Sequence, residues 1–243
     1  MTSIAEFLAF VGSYSLIDFV SFDSDGYLRL FKRANNAVWP LPVFSLVCSV
    51  ALLYFAWQTR WLVGAVLRRV LCLGFAASWI SVAYVFHWSL LGELNVAGKI
   101  FALLFAIQSC LLLIACKRSS QQRKLQAPEI LWGKVLLITG LIIYPLLPWI
   151  NNHSEESIQW FAIAPDPSCL ITLGIFFTKG LWRWWISLIP LTWCVTSGLF
   201  TTAMGLTSGW LMLGSAAVSF ALMIYCRNVR PRSVKPRSVK NSL

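Results

Sequence analysis

The feature that most constrains this chain is a series of uncharged, apolar runs whose lengths approach that of a membrane-crossing helix. A bilayer core about 30 Å thick needs roughly 20 apolar helical residues, with about 17 as a lower limit. Seven such runs occur, of which the fourth and fifth are short: Val38–Trp57, Val70–Phe86, Ile100–Cys116, Val135–Ile150, Pro167–Thr178, Trp184–Ala203 and Gly209–Cys226. The pattern predicts an all-α, polytopic transmembrane helix bundle of about seven spans.

Composition agrees with a chain whose main solvent is lipid. Of its 243 residues, 58% are hydrophobic and only 12% are charged, whereas soluble domains carry about 25% charged residues. This excludes an ordinary soluble domain, a disordered chain and a collagen-like fibre. Eleven of the 13 tryptophans lie near the ends of the apolar runs, where we expect indole rings to sit at the membrane interface.

The basic residues are distributed unevenly between alternate loops. Sixteen of the 20 Lys and Arg residues fall in the loops after the first, third and fifth runs and in the C-terminal tail. All but one of the nine acidic residues fall on the other side. The positive-inside rule therefore predicts that the N-terminus is outside and the C-terminus cytoplasmic. Because the net charge of +11 is explained by this asymmetry, no nucleic-acid partner is expected.

These patterns divide the chain into three parts. Residues 1–37 form an extracytoplasmic, amphipathic segment, 38–226 the seven-span transmembrane domain, and 227–243 a basic, disordered cytoplasmic tail that contacts anionic lipid headgroups. In the first part we expect one amphipathic helix that begins near Ser3 and a second short helix over Tyr27–Arg33. Two placements remain open for these helices, either on the outer membrane surface or packed on the outer face of the bundle.

The sequence contains no recognisable cofactor or catalytic motif. It lacks the phosphate-binding, nucleophile-elbow and zinc-protease signatures, and its seven cysteines include no CxxC pair. We therefore expect the cysteines to be small buried side chains, we expect no cofactor, and we assign no catalytic residue. None of the seven runs contains Asp, Glu, Lys, Arg or His, which argues against a proton-coupled pump with a carboxylate at mid-membrane.

Four ionisable residues just outside the runs are the candidate ligand-binding groups: His87, Glu93, His153 and Asp166. Histidines and carboxylates that lie close together can bind Zn²⁺ or act as acid and base, so a metal site stays open. The alternative is that they form a solvated, acidic outer rim. For Asp166, the Pro-Asp-Pro sequence favours a helix N-cap followed by Pro167 at the first helical position, while the other interpretation is a carboxylate that faces a mouth between helices.

Three functional hypotheses follow from this pattern. The first is a permease-type or small-ligand-binding membrane protein with a polar site on its outer face. The second is a membrane-embedded enzyme at the outer interface, in which the same residues act as acid and base. The third is a non-catalytic accessory subunit of a membrane complex.

Three short motifs, in this order, resemble those of a known family. They are Asn36-Ala-Val-Trp-Pro40, Phe86-His87 before an outer loop with Asn95, and Ile163-Ala-Pro-Asp-Pro167. The family comprises bacterial, uncharacterised multi-pass membrane proteins with a domain of unknown function, and the resemblance covers most of residues 15–225. The family's usual tyrosine before the first motif is Asn35 here. The resemblance implies a multi-pass protein of the bacterial inner membrane and carries over no substrate or catalytic residue.

Overall fold

The computed structural model describes residues 23–57, 65–117, 125–151 and 153–228. These residues form helices joined by short connections, with no strand among them. The helices are α1 (Ser24–Ala37), α2 (Leu41–Trp57), α3 (Ala65–Ser81, continued by a π-helical segment Val82–Leu91 and a last turn Gly92–Leu94), α4 (Val96–Lys117), α5 (Ala127–Ile138, a π-helical turn Thr139–Ile143, then Tyr144–Ile150), α6 (Pro165–Thr178), α7 (Trp184–Ala203) and α8 (Ser208–Asn228).

The all-α prediction is confirmed, and each predicted apolar run coincides largely with one helix. Five helical stretches in the described part of the chain are long and apolar enough to cross a membrane: Arg69–Leu94, Val96–Ala115, Ala127–Ile150, Trp184–Ala203 and Ser208–Asn228. A sixth is counted if α1 and α2, bent by 96°, form one broken span. The predicted number of about seven spans is therefore not confirmed, and neither is the predicted orientation of the termini.

The outward surface of the helices is apolar. On α2, for example, Phe44, Val47 and Val50 are each more than 60% exposed. A soluble protein rarely exposes a continuous apolar surface of this kind, whereas a membrane protein presents it to lipid. The helices therefore have the surface expected of a protein embedded in a bilayer.

Helix α6 lies at the centre of the bundle. Of its 14 residues, 13 are buried, as expected for a helix that is apolar on every face. It packs backbone to backbone on α5, because a Cβ added to Gly174 would lie 2.9 Å from the Gly133 carbonyl oxygen. Small residues at this crossing bring the two helices close together.

Helix α1 packs on one end of the bundle. Its N-cap is Asp23, whose carboxylate accepts a hydrogen bond from the Gly26 N–H at 2.7 Å. Its buried residues follow the i, i+3, i+4, i+7 pattern of one helix face: Tyr27, Leu30, Phe31 and Ala34. The ring of Phe31 stacks on that of Phe86 at 4.9 Å. Of the two placements considered for this helix, the structure shows the one in which it packs on the bundle. The helix expected to begin near Ser3 lies outside the described residues.

The connection between α5 and α6 is fixed to the first two helices. The side-chain amide of Asn35 donates to the Glu156 and Ile158 carbonyls at 3.1 and 2.9 Å. On α2, the Ser45 hydroxyl donates to the Phe161 carbonyl at 2.7 Å. These bonds hold α1, α2 and the connection together at the end of the bundle where α6 begins.

The cysteines only partly follow the prediction. Cys169 and Cys194 are free and buried, as expected, and Cys226 is buried too, whereas Cys48 and Cys110 are exposed. Cys72 is disulfide-bonded, so the expectation of unpaired small side chains is wrong at that position.

Candidate functional site

Asp166 lies at the start of the central helix but does not cap it. Helix α6 begins two residues earlier than predicted, with Ala164 as N-cap and Pro165 inside the first turn. Proline is accepted there because a first-turn N–H has no partner within the helix. The N-cap interpretation of Asp166 is therefore wrong, and its side chain, with no exposed surface, points into the bundle instead.

The Asp166 carboxylate accepts hydrogen bonds from two neighbouring helices. On α7, the Trp193 indole N–H and the Ser197 hydroxyl donate to Oδ1 at 2.8 and 2.7 Å. On α5, the Tyr144 hydroxyl donates to Oδ2 at 3.3 Å. All three donors are neutral. The ion pairs found among the described residues join exposed α1 lysine and arginine side chains to surface glutamates, so none involves this carboxylate.

Helix α1 covers the same carboxylate from the end of the bundle. Tyr27 is 7% exposed, and its hydroxyl shares a hydrogen bond with Ser197, which itself donates to Asp166. Tyr27 therefore belongs to the same group of buried polar side chains as Ser197 and Asp166.

His87 lies on the other side of Trp193, on the π-helical segment of α3. Its ring has no exposed surface, and neither ring nitrogen has a hydrogen-bond partner. Aromatic rings surround it, with centroid distances of 4.4 Å to Phe105, 4.8 Å to Trp193, 5.3 Å to Phe86 and 5.8 Å to Phe101. Trp193 thus contacts His87 with its ring and Asp166 with its N–H, and it links the two groups without a direct bond between them.

The other two predicted residues lie elsewhere on the surface. Glu93 is exposed, and its Oε2 lies 3.9 Å from an Arg33 guanidinium nitrogen. His153 lines an open depression of about 320 Å³ beside Asp25, Arg29 and Lys32 of α1. The solvated-rim alternative describes Glu93 and His153, and it is wrong for His87 and Asp166.

Ionisable side chains also lie within the long helices, contrary to the sequence-based expectation. His87 lies inside the Arg69–Leu94 stretch. In α5, the wholly buried Glu129 accepts from the Trp182 indole at 2.7 Å and from the Gln126 N–H at 2.9 Å. The apolar runs stop where a charged or titratable residue appears, whereas the helices continue past it. The expectation that the spans hold no ionisable residue is therefore wrong for these helices, but Glu129 lies in the first turn of α5 rather than at mid-membrane depth.

The structure does not assemble a metal site from the candidate residues. In the described parts of the chain, no three His, Cys, Asp or Glu side chains come together as metal binding requires. The polar centre comprises one carboxylate, one imidazole and the side chains that link them.

Sequence reasoning missed Trp193, Ser197 and Tyr144, which form the polar centre with Asp166 and His87. Each lies in the interior of an apolar run, where aromatic and hydroxyl side chains are common. The only sequence signal is that Trp193 and Ser197 are four residues apart and so share one face of α7.

Comparison with known proteins agrees with the sequence resemblance at the level of the family. No curated protein and no solved structure matches the chain. The sequence model of one family matches residues 24–234, which include every helix described above. The chain therefore belongs to the family of unknown function DUF6064.

Proposed function

We propose that this integral membrane protein is of the permease type and binds a small cationic solute at one end of its bundle, with Asp166 as the binding group. The observation that carries the proposal is the buried Asp166 carboxylate, which has three neutral donors and no cationic partner among the described residues. Ionisable residues inside a membrane bundle typically mark substrate or ion pathways.

The side chains around Asp166 suit an organic cation. A buried carboxylate is normally paired with a positive charge, because an isolated one is costly to desolvate. Trp193, Tyr144 and Tyr27 bring aromatic rings to the same place, and aromatic faces attract ammonium groups. A small ammonium ion would supply the missing charge and contact these rings.

The proposed topology follows from the distribution of charge. We propose that α6 and the bent α1–α2 pair complete a seven-helix arrangement with the N-terminus outside, the C-terminus cytoplasmic, and α1 on the outer face. The loop charges and the resemblance to bacterial inner-membrane proteins support this orientation, with the basic tail at anionic headgroups. In this orientation the end of the bundle that holds α1 and Asp166 faces the outside.

The geometry favours this function over the enzyme hypothesis. An acid–base pair requires the imidazole and the carboxylate within hydrogen-bond reach of each other or of one substrate atom. Here the indole of Trp193 separates His87 from Asp166, and both nitrogens of His87 lack a partner. The accessory-subunit hypothesis predicts no ligand at Asp166, so the same binding experiment tests it.

The test is a thermal-shift titration of the full-length protein in detergent. The probes are tetramethylammonium and ethylammonium chloride, with tert-butanol as an uncharged control and Zn²⁺ as a separate metal probe. A ligand at 100 times its Kd stabilises the folded state by about 2.7 kcal/mol. We expect one of the ammonium probes, and not tert-butanol, to raise the melting temperature.

Two variants test whether the rise in melting temperature depends on Asp166. We expect Asp166→Asn to abolish the ammonium shift, because the amide keeps the shape but loses the charge. Glu155→Gln removes an exposed carboxylate and should leave the shift unchanged. An ammonium shift that persists in Asp166→Asn, or the absence of any ammonium shift in the wild type, contradicts the proposed site.

A further inference from the structure

Two lysines lie close together where α5 and α6 cross, at the end of the bundle opposite α1. The two helices approach closely there, because a Cβ added to Gly133 would lie 2.7 Å from the Thr178 backbone nitrogen. Lys134 follows Gly133, and Lys179 follows Thr178, so the crossing brings the two lysines to one place. Partial burial lowers the pKa of Lys179, and the positive charge of Lys134 lowers it further. The two charges are therefore near enough to repel each other.

Lys134 lies on the lipid-facing side of α5. Its neighbours on that side, Leu131 and Val135, are both exposed. Its Nζ lies 4.6 Å from the ring centroid of Trp57, the last residue of α2, and more than half of the Trp57 side chain is exposed. Tryptophan is typical of the membrane interface, and a lysine near a helix end extends its ammonium group to the same level.

The end of α6 sets the depth of the two lysines. Thr178, the last residue of α6, contacts Gly133, which lies six residues, or about 9 Å, after the first residue of α5. With the end of α6 at the edge of the hydrocarbon core, this first part of α5 crosses the headgroup layer, which is about 5–8 Å thick. The lysines then lie at the boundary between the acyl chains and the headgroups. This depth rests on the proposed span of α6, but not on the proposed ligand of Asp166.

No described carboxylate forms an ion pair with Lys134. The ion pairs found among the described residues join α1 to Glu93 and Glu156. Glu129, five residues earlier on α5, accepts hydrogen bonds from the Trp182 indole and the Gln126 N–H. The positive charge at this crossing is therefore available to an anion from outside the protein.

We propose that Lys134 and Lys179 together bind the phosphate of an anionic phospholipid, whose acyl chains lie along the exposed apolar side of α5. Two ammonium groups that repel each other are both stabilised by one shared anion. Their hydrogen bonds to a phosphate are charge-assisted, and such bonds are about twice as strong as neutral ones. A zwitterionic headgroup suits the site less well, because its own ammonium group adds a third positive charge.

The test is a thermal-shift titration of the full-length protein in detergent, with no organic cation added. The lipid probes are dioctanoylphosphatidylglycerol, which is anionic, and dioctanoylphosphatidylcholine, which has the same acyl chains but a zwitterionic headgroup. Glycerol phosphate supplies a soluble phosphate without acyl chains. We expect phosphatidylglycerol to raise the melting temperature more than the other two probes at equal concentration, and its concentration dependence gives the Kd.

Variants test whether the two lysines form the site. We expect Lys134→Gln and Lys179→Gln each to weaken phosphatidylglycerol binding about fivefold, which is the contribution of one basic residue at a membrane surface. Lys134→Arg keeps the charge and should retain binding. The matched control is Lys99→Gln, because Lys99 also lies over an exposed tryptophan, 5.6 Å from the Trp88 ring centroid, but at the end of the bundle where α1 packs. This variant should bind phosphatidylglycerol as the wild type does.

Each outcome supports or overturns the lipid site. Equal affinities for phosphatidylglycerol in the wild type, Lys134→Gln and Lys179→Gln overturn it, and so do equal shifts from the two lipids. An equal shift from glycerol phosphate overturns the assignment to a lipid. Should Lys179→Gln fail to fold, Lys134→Gln and Lys134→Arg still decide the result. A phosphatidylglycerol shift that depends on Lys134, in a protein that shows no ammonium shift, supports the lipid site while removing the proposed ligand of Asp166.

Discussion

Replacing Asp166 by asparagine or by leucine separates the hydrogen-bonding role of the carboxylate from its charge. Asparagine keeps an oxygen that can accept from Trp193 and Ser197, as Oδ1 does in the wild type. Leucine has a similar volume and accepts nothing. The pair therefore differs mainly in how many buried donors are left without an acceptor.

The loss of stability in Asp166→Leu depends on whether each of the three donors finds another acceptor. The Ser197 hydroxyl can turn to a carbonyl of its own helix, and Tyr144 already lies 3.5 Å from the Ser208 carbonyl. The Trp193 N–H has no such alternative, and leaving a buried donor unsatisfied costs about 1–3 kcal/mol. With the weakened hydroxyl bonds, we expect Asp166→Leu to destabilise the protein by about 2–4 kcal/mol and Asp166→Asn by less than about 1 kcal/mol.

Thermal unfolding of the purified variants measures this difference. For a chain of this length, 1 kcal/mol corresponds to a shift of about 2–4 °C. We therefore expect Asp166→Leu to melt about 5–15 °C below the wild type, and Asp166→Asn within about 4 °C of it. Equal losses in the two variants would show that the negative charge itself, rather than acceptance from Trp193, stabilises the centre, and would refute this reasoning.

Three further predictions concern packing and buried hydrogen bonds, each measured by thermal unfolding. Gly174→Ala places a Cβ 2.7 Å from the Leu137 side chain and should lower the free energy of unfolding by about 1–3 kcal/mol. The control Gly214→Ala meets nothing within 4 Å and should be neutral or stabilising, so equal effects of the two variants would contradict the close crossing of α5 and α6. Trp182→Phe removes the donor to the buried Glu129 carboxylate and should cost about 1.5–3 kcal/mol, so an unchanged melting temperature argues against that bond. Tyr27→Phe keeps the ring but loses the hydrogen bond to Ser197, and it should lower the free energy of unfolding by about 1 kcal/mol. If proteolytic removal of α1 caused no such loss of stability, the proposed contribution of Tyr27 would be wrong.

The helices were predictable because their apolar runs approach a physical length, that of a bilayer crossing. Trp184–Ala203 was predicted with the bounds that the structure has. The end of α3 was not, since the run stops at Phe86 and the helical stretch continues to Leu94. The end of an uncharged run shows where the first ionisable residue stands, not where the helix ends. A single sequence does not distinguish His87, which is buried inside the bundle, from a histidine in a loop.

The candidate site was predictable only in part, because burial is a property of the assembled bundle. Asp166 and His87 were identified from their chemistry, but the Pro-Asp-Pro pattern fits a helix cap as well as an inward carboxylate. Trp193 shows why the rest of the site could not be predicted. It lies in the interior of the apolar run Trp184–Ala203, and nothing in one sequence distinguishes an indole that faces lipid from one that bridges two buried groups.

The shortness of α6 has an electrical consequence. Fourteen residues extend about 21 Å, which is roughly 9 Å less than the hydrocarbon core. In the proposed orientation, with the far end of α6 at the inner edge of the core, a cation that reached Asp166 from outside would have crossed about 0.3 of the transmembrane voltage. At about 2.3 kcal/mol per charge for each 100 mV, this contributes about 0.7 kcal/mol, or roughly a threefold change in occupancy. Occupancy of Asp166 by a cation should therefore rise when the cell interior becomes more negative.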